Sequence, residues 1–257
     1  MNKKDYFIFF INPISLIFMI TLNFLAISLP LNGNSTQELS DKYPSLFTPA
    51  GITFSIWSVI YTLIIIFVVI QIYYRIKKEY LITKKSNLYF TISSILNGLW
   101  IIAWHYENLI LSVIIMLSLL ISLILLYYSL KNINFNNNLL TFFIKTPINI
   151  YLGWISVATI ANISALLLKY NWNGFNISQN IWTIILIIIG GFLAVISILK
   201  EKVYSYSIVF IWAYLGIILK RNSSTIIYND IIYTTYTIII ILLSLILINI
   251  FIKIRNK

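Results

Sequence analysis

Along most of this chain, apolar residues continue for about twenty positions at a time. They lack the polar stripe that recurs every three or four residues in a soluble helix. Eight such stretches stand out: Phe7–Leu29, Ile52–Tyr74, Leu88–Tyr106, Leu109–Tyr128, Pro147–Leu168, Ile181–Leu199, Val203–Leu219 and Ile231–Ile252. A hydrocarbon core about 30 Å thick takes roughly 20 apolar residues per helical crossing. The pattern therefore predicts an all-α, polytopic membrane protein of about eight helices. Val203–Leu219 is the weakest crossing, being short and opening on Tyr204-Ser205-Tyr206-Ser207.

The polar connections order these helices. The longest runs from Pro30 to Pro49 and carries turn signals in Asn32-Gly33-Asn34-Ser35 and Asp41-Lys42-Tyr43-Pro44. Short turns at Glu107-Asn108 and Lys200-Glu201-Lys202 make the third and fourth helices, and the sixth and seventh, antiparallel hairpins. An asparagine-rich stretch (Asn132–Asn138) precedes the fifth helix. The polar loop Lys169–Asn180 divides the chain into residues 1–169, with five helices, and 170–257, with three.

Composition agrees: 60% of residues are hydrophobic, 10% are charged, and mean hydropathy is +0.92, which no soluble globular chain shares. The absence of cysteine removes disulfides, thiolate chemistry and cysteine metal sites. A formal net charge of +11 raises nucleic acid as a partner, but its distribution argues otherwise. With eight crossings, fourteen basic residues fall on one side, and only Lys42, Lys169, Lys220 and Arg221 on the other. That bias marks cytoplasmic loops, so both termini are expected in the cytoplasm of a cell whose cytoplasmic membrane holds the chain, and nucleic acid is not a partner. Lys3-Lys4 before the first apolar run resembles a secretory signal. The run is longer than a signal core, and Asn12 and Asn23 interrupt it, so it reads as a retained helix.

Three helices carry aromatic motifs. They are Thr48-Pro49-Ala50-Gly51-Ile52-Thr53-Phe54-Ser55-Ile56-Trp57, then Asn97-Gly98-Leu99-Trp100, and Tyr151-Leu152-Gly153-Trp154 followed by Ala158 and Asn162. Trp57 and Tyr61 are one turn apart; Asn97, Trp100 and Trp104 form a stripe, as do Tyr151, Trp154, Ala158 and Asn162. An asparagine facing lipid would leave its amide unsatisfied, so Asn97 and Asn162 are expected to face inward, with their stripe-mates beside them. Indole, phenol and amide groups converging on one interior suit a flat, hydrophobic ligand with a few polar edges. Taken singly, such residues read first as an interfacial aromatic belt and interhelical glue.

With these motifs in this order, the chain resembles the TspO/MBR family, tryptophan-rich sensory proteins related to the mitochondrial translocator protein. The family's proline-containing loop leading into Phe-x-x-x-Trp corresponds to Pro49, Gly51, Phe54, Trp57 and Tyr61. Its Asn-x-x-Trp corresponds to Asn97 and Trp100, with Trp104 beyond. Its fifth-helix pattern corresponds to Tyr151, Trp154, Ala158 and Asn162. Ala50, Ile150, Val157 and Ala161 depart from it, and the resemblance covers roughly residues 7 to 168. It implies a five-helix bundle, extended here by three helices, enclosing a pocket for a porphyrin, a sterol-like lipid or a drug-like aromatic. On that reading Trp57, Tyr61, Trp100, Trp104, Tyr151, Trp154 and Ala158 bind the ligand. Pro49, Gly51, Phe54, Asn97 and Asn162 shape the pocket.

Other chemistry has little support. His105 is the only histidine and ends the third stretch; it reads as a polar residue facing water, with a haem ligand as the alternative. No acidic or basic residue lies mid-span, which argues against a proton relay. Ser94/Gly98 and Gly190-Gly191 are close-approach sites, read first as internal packing and second as a homodimer surface. The sequence thus points to a sensor, regulator or carrier rather than an enzyme, with no required cofactor and a porphyrin as candidate ligand. Its partners are the lipid bilayer and a hydrophobic small molecule. A small-molecule permease is the runner-up.

Overall fold

The computed structural model describes residues 3–29, 31–135 and 137–256, with side chains from residue 10 onward. Pro30, Asn136 and Lys257, which the sequence reading places in loops or at the terminus, lie outside the described residues. So do the side chains of Lys3, Lys4 and Phe7. Among the described residues there are nine α-helices and no strands. They are α1 (Lys3–Ser28), α2 (Thr36–Lys42), α3 (Ile56–Ile76), α4 (Lys84–His105), α5 (Leu109–Lys131), α6 (Asn138–Lys169), α7 (Gln179–Ile196), α8 (Tyr204–Asn222) and α9 (Asn229–Arg255).

Eight of the nine coincide with the eight apolar stretches, and the chain is a polytopic all-α membrane protein. By length and composition six helices, α1, α3, α5, α6, α7 and α9, are apolar enough to cross a membrane. The other two long helices, α4 and α8, are the more polar ones, and their polar groups point into protein. On α4, Ser93, Ser94 and Asn97 are fully buried. On α8, Ser207 donates to Ala194 O at 2.9 Å and Tyr214 to Ile187 O at 2.6 Å. In a low-dielectric interior such groups persist because most of their polar atoms have partners, among them the Ser93 and Ser94 hydroxyls and the Asn97 oxygen.

The helix ends follow local chemistry. Thr83, Asn108 and Ser178 cap α4, α5 and α7 by accepting backbone N–H groups of their first turns. One boundary differs from expectation. Asn137 caps α6, which starts at Asn138 and runs for 32 residues through Lys145 and Pro147, nine residues earlier than the apolar pattern suggested. Lys145 Nζ reaches back to Lys131 O at 2.8 Å, so its charge lies against the end of the preceding helix.

α1, α4, α5, α6 and α3 pack in that order around a closed five-helix ring, each against the next and α3 against α1. α8 lies on the outside of α6, and α7 and α9 pack against α8. Small residues set these approaches. A Cβ on Gly98 would stand 2.6 Å from Phe18 of α1, one on Gly153 would stand 3.0 Å from Tyr206 O of α8, and one on Gly190 would stand 2.6 Å from the Tyr214 hydroxyl. Gly98 and Gly190-Gly191 therefore serve packing within the chain. Polar pairs add register: Asn23 of α1 donates to Asn97 of α4 at 2.7 Å, and Asn12 of α1 joins Gln71, Asn87 and Thr91 of α3 and α4.

Candidate ligand site

The aromatic stripes meet at one end of the ring, beneath the segment joining α1 to α3. Trp57 stands on the first turn of α3. Tyr61 stacks on it (ring centroids 5.2 Å apart), and the rings of Tyr151 and Trp154 meet it edge-on at 6.0 and 6.2 Å. Phe54 meets Trp154 edge-on at 5.9 Å. Across from them, near the end of α4, Trp100 and Trp104 stack at 5.8 Å. These offset and edge-on contacts are the favoured geometries for aromatic quadrupoles.

Between the two walls is a cavity of about 40 Å³. Pro49, Phe54, Trp57, Trp100, Trp104, Trp154, Ala158 and Asn162 line it, together with Thr36, Ser40, Val157 and Ala161. Eight of the twelve residues singled out from the sequence thus line one cavity. Four do not reach it. Tyr61 and Tyr151 back the Trp57 ring, Asn97 turns to α1, and Gly51 lies under the Gln37 side chain. The space is far below the roughly 300–1,000 Å³ typical of pockets for drug-sized ligands, because Met19, Ile60, Ile64, Tyr151 and Ile155 fill the ring beneath it.

Asn162 organises one side: Trp100 Nε1 donates to its Oδ1 at 3.0 Å, and its Nδ2 donates to Ser112 of α5 at 3.0 Å. The opposite side is unfinished. The Trp154 indole N–H is buried, with no hydrogen-bond partner among the described residues, and Tyr61 OH and Asn97 Nδ2 are likewise unpaired there. A buried donor without an acceptor costs about 1–3 kcal/mol, and Trp154, which carries this one, is among the residues that line the cavity.

The cover is a small helix that the apolar pattern passed over. Ser35 and Glu38 form a capping box, the side chain of each accepting the backbone N–H of the other, and so start α2. Its local signal, Ser-x-x-Glu, was present in the sequence. α2 is held from two directions. Lys42 Nζ lies 2.6 Å from Glu107 in the α4–α5 turn, Tyr43 OH donates to the same carboxylate at 2.5 Å, and Lys220 of α8 pairs with Asp41. Those two donors hold Glu107 below the usual carboxylate range, and burial, with the Glu107 hydrogen bond, pushes Tyr43 up to about 12. The rest of the cover rests on α8: Ala50 N donates to Gly216 O at 2.9 Å, and Trp212 Nε1 to Thr53 O at 2.9 Å. Gly216 is needed there, since a Cβ would run into Thr53 and stand 3.0 Å from Pro49.

His105 departs from expectation. It is fully buried instead of facing water. Nδ1 lies 3.1 Å from Leu31 O and Nε2 lies 2.9 Å from Thr36 Oγ1. A carbonyl can only accept, so Nδ1 carries the proton and Nε2 accepts from Thr36. Both nitrogens are engaged in holding the cover to α4, which leaves neither for a haem iron.

The chain matches the family model described as TSPO-like protein over residues 9–248. It belongs to that family. The match extends past the five-helix ring and through most of α9, so it takes in the three C-terminal helices of this TSPO-like protein. No curated protein and no solved structure matches the chain.

Proposed function

We propose that this TSPO-like protein is an intramembrane receptor for a flat, hydrophobic ligand with a polar edge, of tetrapyrrole or sterol-like shape, acting as sensor, regulator or carrier. The observation that carries the reading is the buried, unpaired Trp154 N–H on the wall of a tryptophan-framed cavity. A carboxylate or carbonyl at the ligand's edge would accept it while the rings stack on the ligand's faces. The cavity of about 40 Å³ is too small for such a ligand as it stands. Binding requires α2 and the segment through Phe54 to lift, separating the Trp57/Trp154 wall from Trp100/Trp104. By the charge bias the chain sits in the cytoplasmic membrane with both termini inside, so the cover and the ligand's entry face outward.

The test is titration of the protein in nanodiscs with protoporphyrin IX, following tryptophan fluorescence with inner-filter correction. Saturable quenching that weakens in both Trp57→Phe and Trp154→Phe is expected. Quenching that is linear and indifferent to both substitutions overturns the reading. A second reading, a small permease, is favoured by the grip of α8 on the cover, which links the three C-terminal helices to access. Flux of the same ligand in proteoliposomes distinguishes it.

A further inference from the structure

A second cavity lies at the opposite end of the bundle, unrelated to the aromatic site. It measures about 490 Å³ and opens where the end of α5, the start of α6 and the α7–α8 turn converge. Lys131, Lys145 and Lys202 line it, with Glu201 as the only carboxylate there among the described residues. Lys131 pairs with Glu201 at 2.5 Å and Tyr127 OH donates to the same carboxylate at 2.7 Å. Lys145 reaches only a backbone carbonyl, and Lys202 only the Asn249 amide oxygen of α9, at 2.8 Å each. Three ammonium groups against one carboxylate leave the cavity with an excess of positive charge.

The backbone adds to it. α7 ends in a π-turn, Ser197–Glu201, followed by Lys202 in the left-handed region at φ 57°. Ser197 closes the turn by donating to Val203 O at 2.9 Å and accepting from Val203 N at 2.9 Å. α8 therefore starts abruptly at Tyr204 with no side-chain cap, and Val203, Tyr204 and Ser205 line the cavity. The first N–H groups of a helix have no intrahelical acceptor and carry the positive end of its dipole, so this start favours an anion.

The cavity continues into a groove of different character. Tyr127, Asn149, Glu201 and Val203 border both spaces. Beyond them a groove of about 350 Å³ runs between α5, α6 and α7. Its walls include Ile124, Leu152, Ile160, Ile189 and Leu193, and Ile189 and Leu193 are exposed on its open side. From Asn149 to Ile160 it follows α6 for about 16 Å at 1.5 Å per residue, close to half of a hydrocarbon core about 30 Å thick. A basic recess joined to an apolar channel one leaflet deep has the shape of one lipid molecule.

We propose that this site seats a phospholipid with a net negative headgroup. The headgroup lies among Lys131, Lys145, Lys202 and the start of α8, and one acyl chain lies along the α5–α6–α7 groove. The charge on the chain supports the choice. By sequence, the formal net charge of +11 falls wholly at this end of the helices, since the four basic residues at the other end are matched there by Glu38, Asp41, Glu107 and Asp230. Basic pockets between helices at a membrane surface recognise anionic headgroups, and each nearby lysine adds to the attraction.

The experiment is native mass spectrometry of the full chain in detergent, with phosphatidylglycerol, phosphatidylcholine or glycerol 1-phosphate added. One retained phosphatidylglycerol is expected, with at least a tenfold preference over phosphatidylcholine. The preference should vanish in Lys131→Gln/Lys145→Gln. Retention of both lipids should fall in Leu193→Trp, which fills the groove. The wild-type comparison of the two lipids depends on no variant, and an unchanged helical circular dichroism spectrum and thermal midpoint report that the variants fold. Equal retention of the two lipids, or a preference that survives both lysine substitutions, overturns the proposal. Displacement of the lipid by equimolar glycerol 1-phosphate would assign the recess to a free phosphate ester and also overturn it.

Discussion

The indole N–H of Trp212 on α8 donates to the backbone carbonyl of Thr53 at 2.9 Å, across 159 positions of sequence. A helix outside the five-helix ring thus holds the segment that closes the ring's aromatic cavity.

Trp212→Phe removes this bond and should weaken closure by about 1 kcal/mol, while leaving the tryptophan wall in place. Hydrogen exchange at the amides of Gly51–Ile56 should quicken about fivefold, and porphyrin association should accelerate. Unchanged exchange would mean that α8 lies beside the cover without restraining it.

Trp100 and Trp154 occupy facing walls with opposite hydrogen-bond status: the first donates to Asn162, the second to nothing. Replacement by Phe removes similar ring volume from each. Trp100→Phe also leaves Asn162 short of a donor, whereas Trp154→Phe relieves an unpaired N–H. Unfolding by denaturant titration in micelles should show Trp100→Phe to be less stable than Trp154→Phe by about 1–3 kcal/mol. Equal losses would mean that Trp154 has a partner after all.

The Glu107 tether responds to acid. Its carboxyl accepts from Lys42 and Tyr43, and its folded pKa lies below the ordinary one. Its contribution is therefore complete above the unfolded pKa of about 4.3 and is lost as pH falls through the lower folded value. Acrylamide quenching of tryptophan should rise as the medium is acidified through that window. Glu107→Gln should raise quenching at neutral pH and flatten its pH dependence.

Asn12 is the polar joint at the other end of α1, bonding Gln71, Asn87 and Thr91. Membrane hydrogen bonds average about 0.6 kcal/mol and reach about 1.7. Asn12→Leu, which leaves the buried Thr91 and the half-buried Gln71 and Asn87 short of a partner, should thus lower stability by about 2 kcal/mol in the same unfolding assay. A neutral result would mean that water or lipid headgroups satisfy the three partners instead.

Hydropathy made the eight long helices legible, and helical spacing made the aromatic stripes legible, because both are local properties. Asn97 and Asn162 were expected inside and are buried there, since an amide in lipid has no partner. What escaped was tertiary. α2 is too short and polar to show in a hydropathy pattern, although its capping box was readable. Trp212, Gly216 and Lys220 matter only because α8 folds over the cover. His105 looked like a terminal polar group because nothing local shows that Leu31 and Thr36 come back to meet it. The near-closure of the cavity depends on how Met19, Ile60 and Tyr151 fill space, which spacing cannot express.

The grip of α8 on the cover also fixes an order of events during synthesis. Thr53 leaves the ribosome 159 residues before Trp212. At about 5–20 residues per second, the aromatic site would stand uncovered for roughly 8–30 seconds in each newly made molecule. Closing by α8 is then a late act of assembly, and a hydrophobic molecule met on the way in could be enclosed without the cover ever having to open.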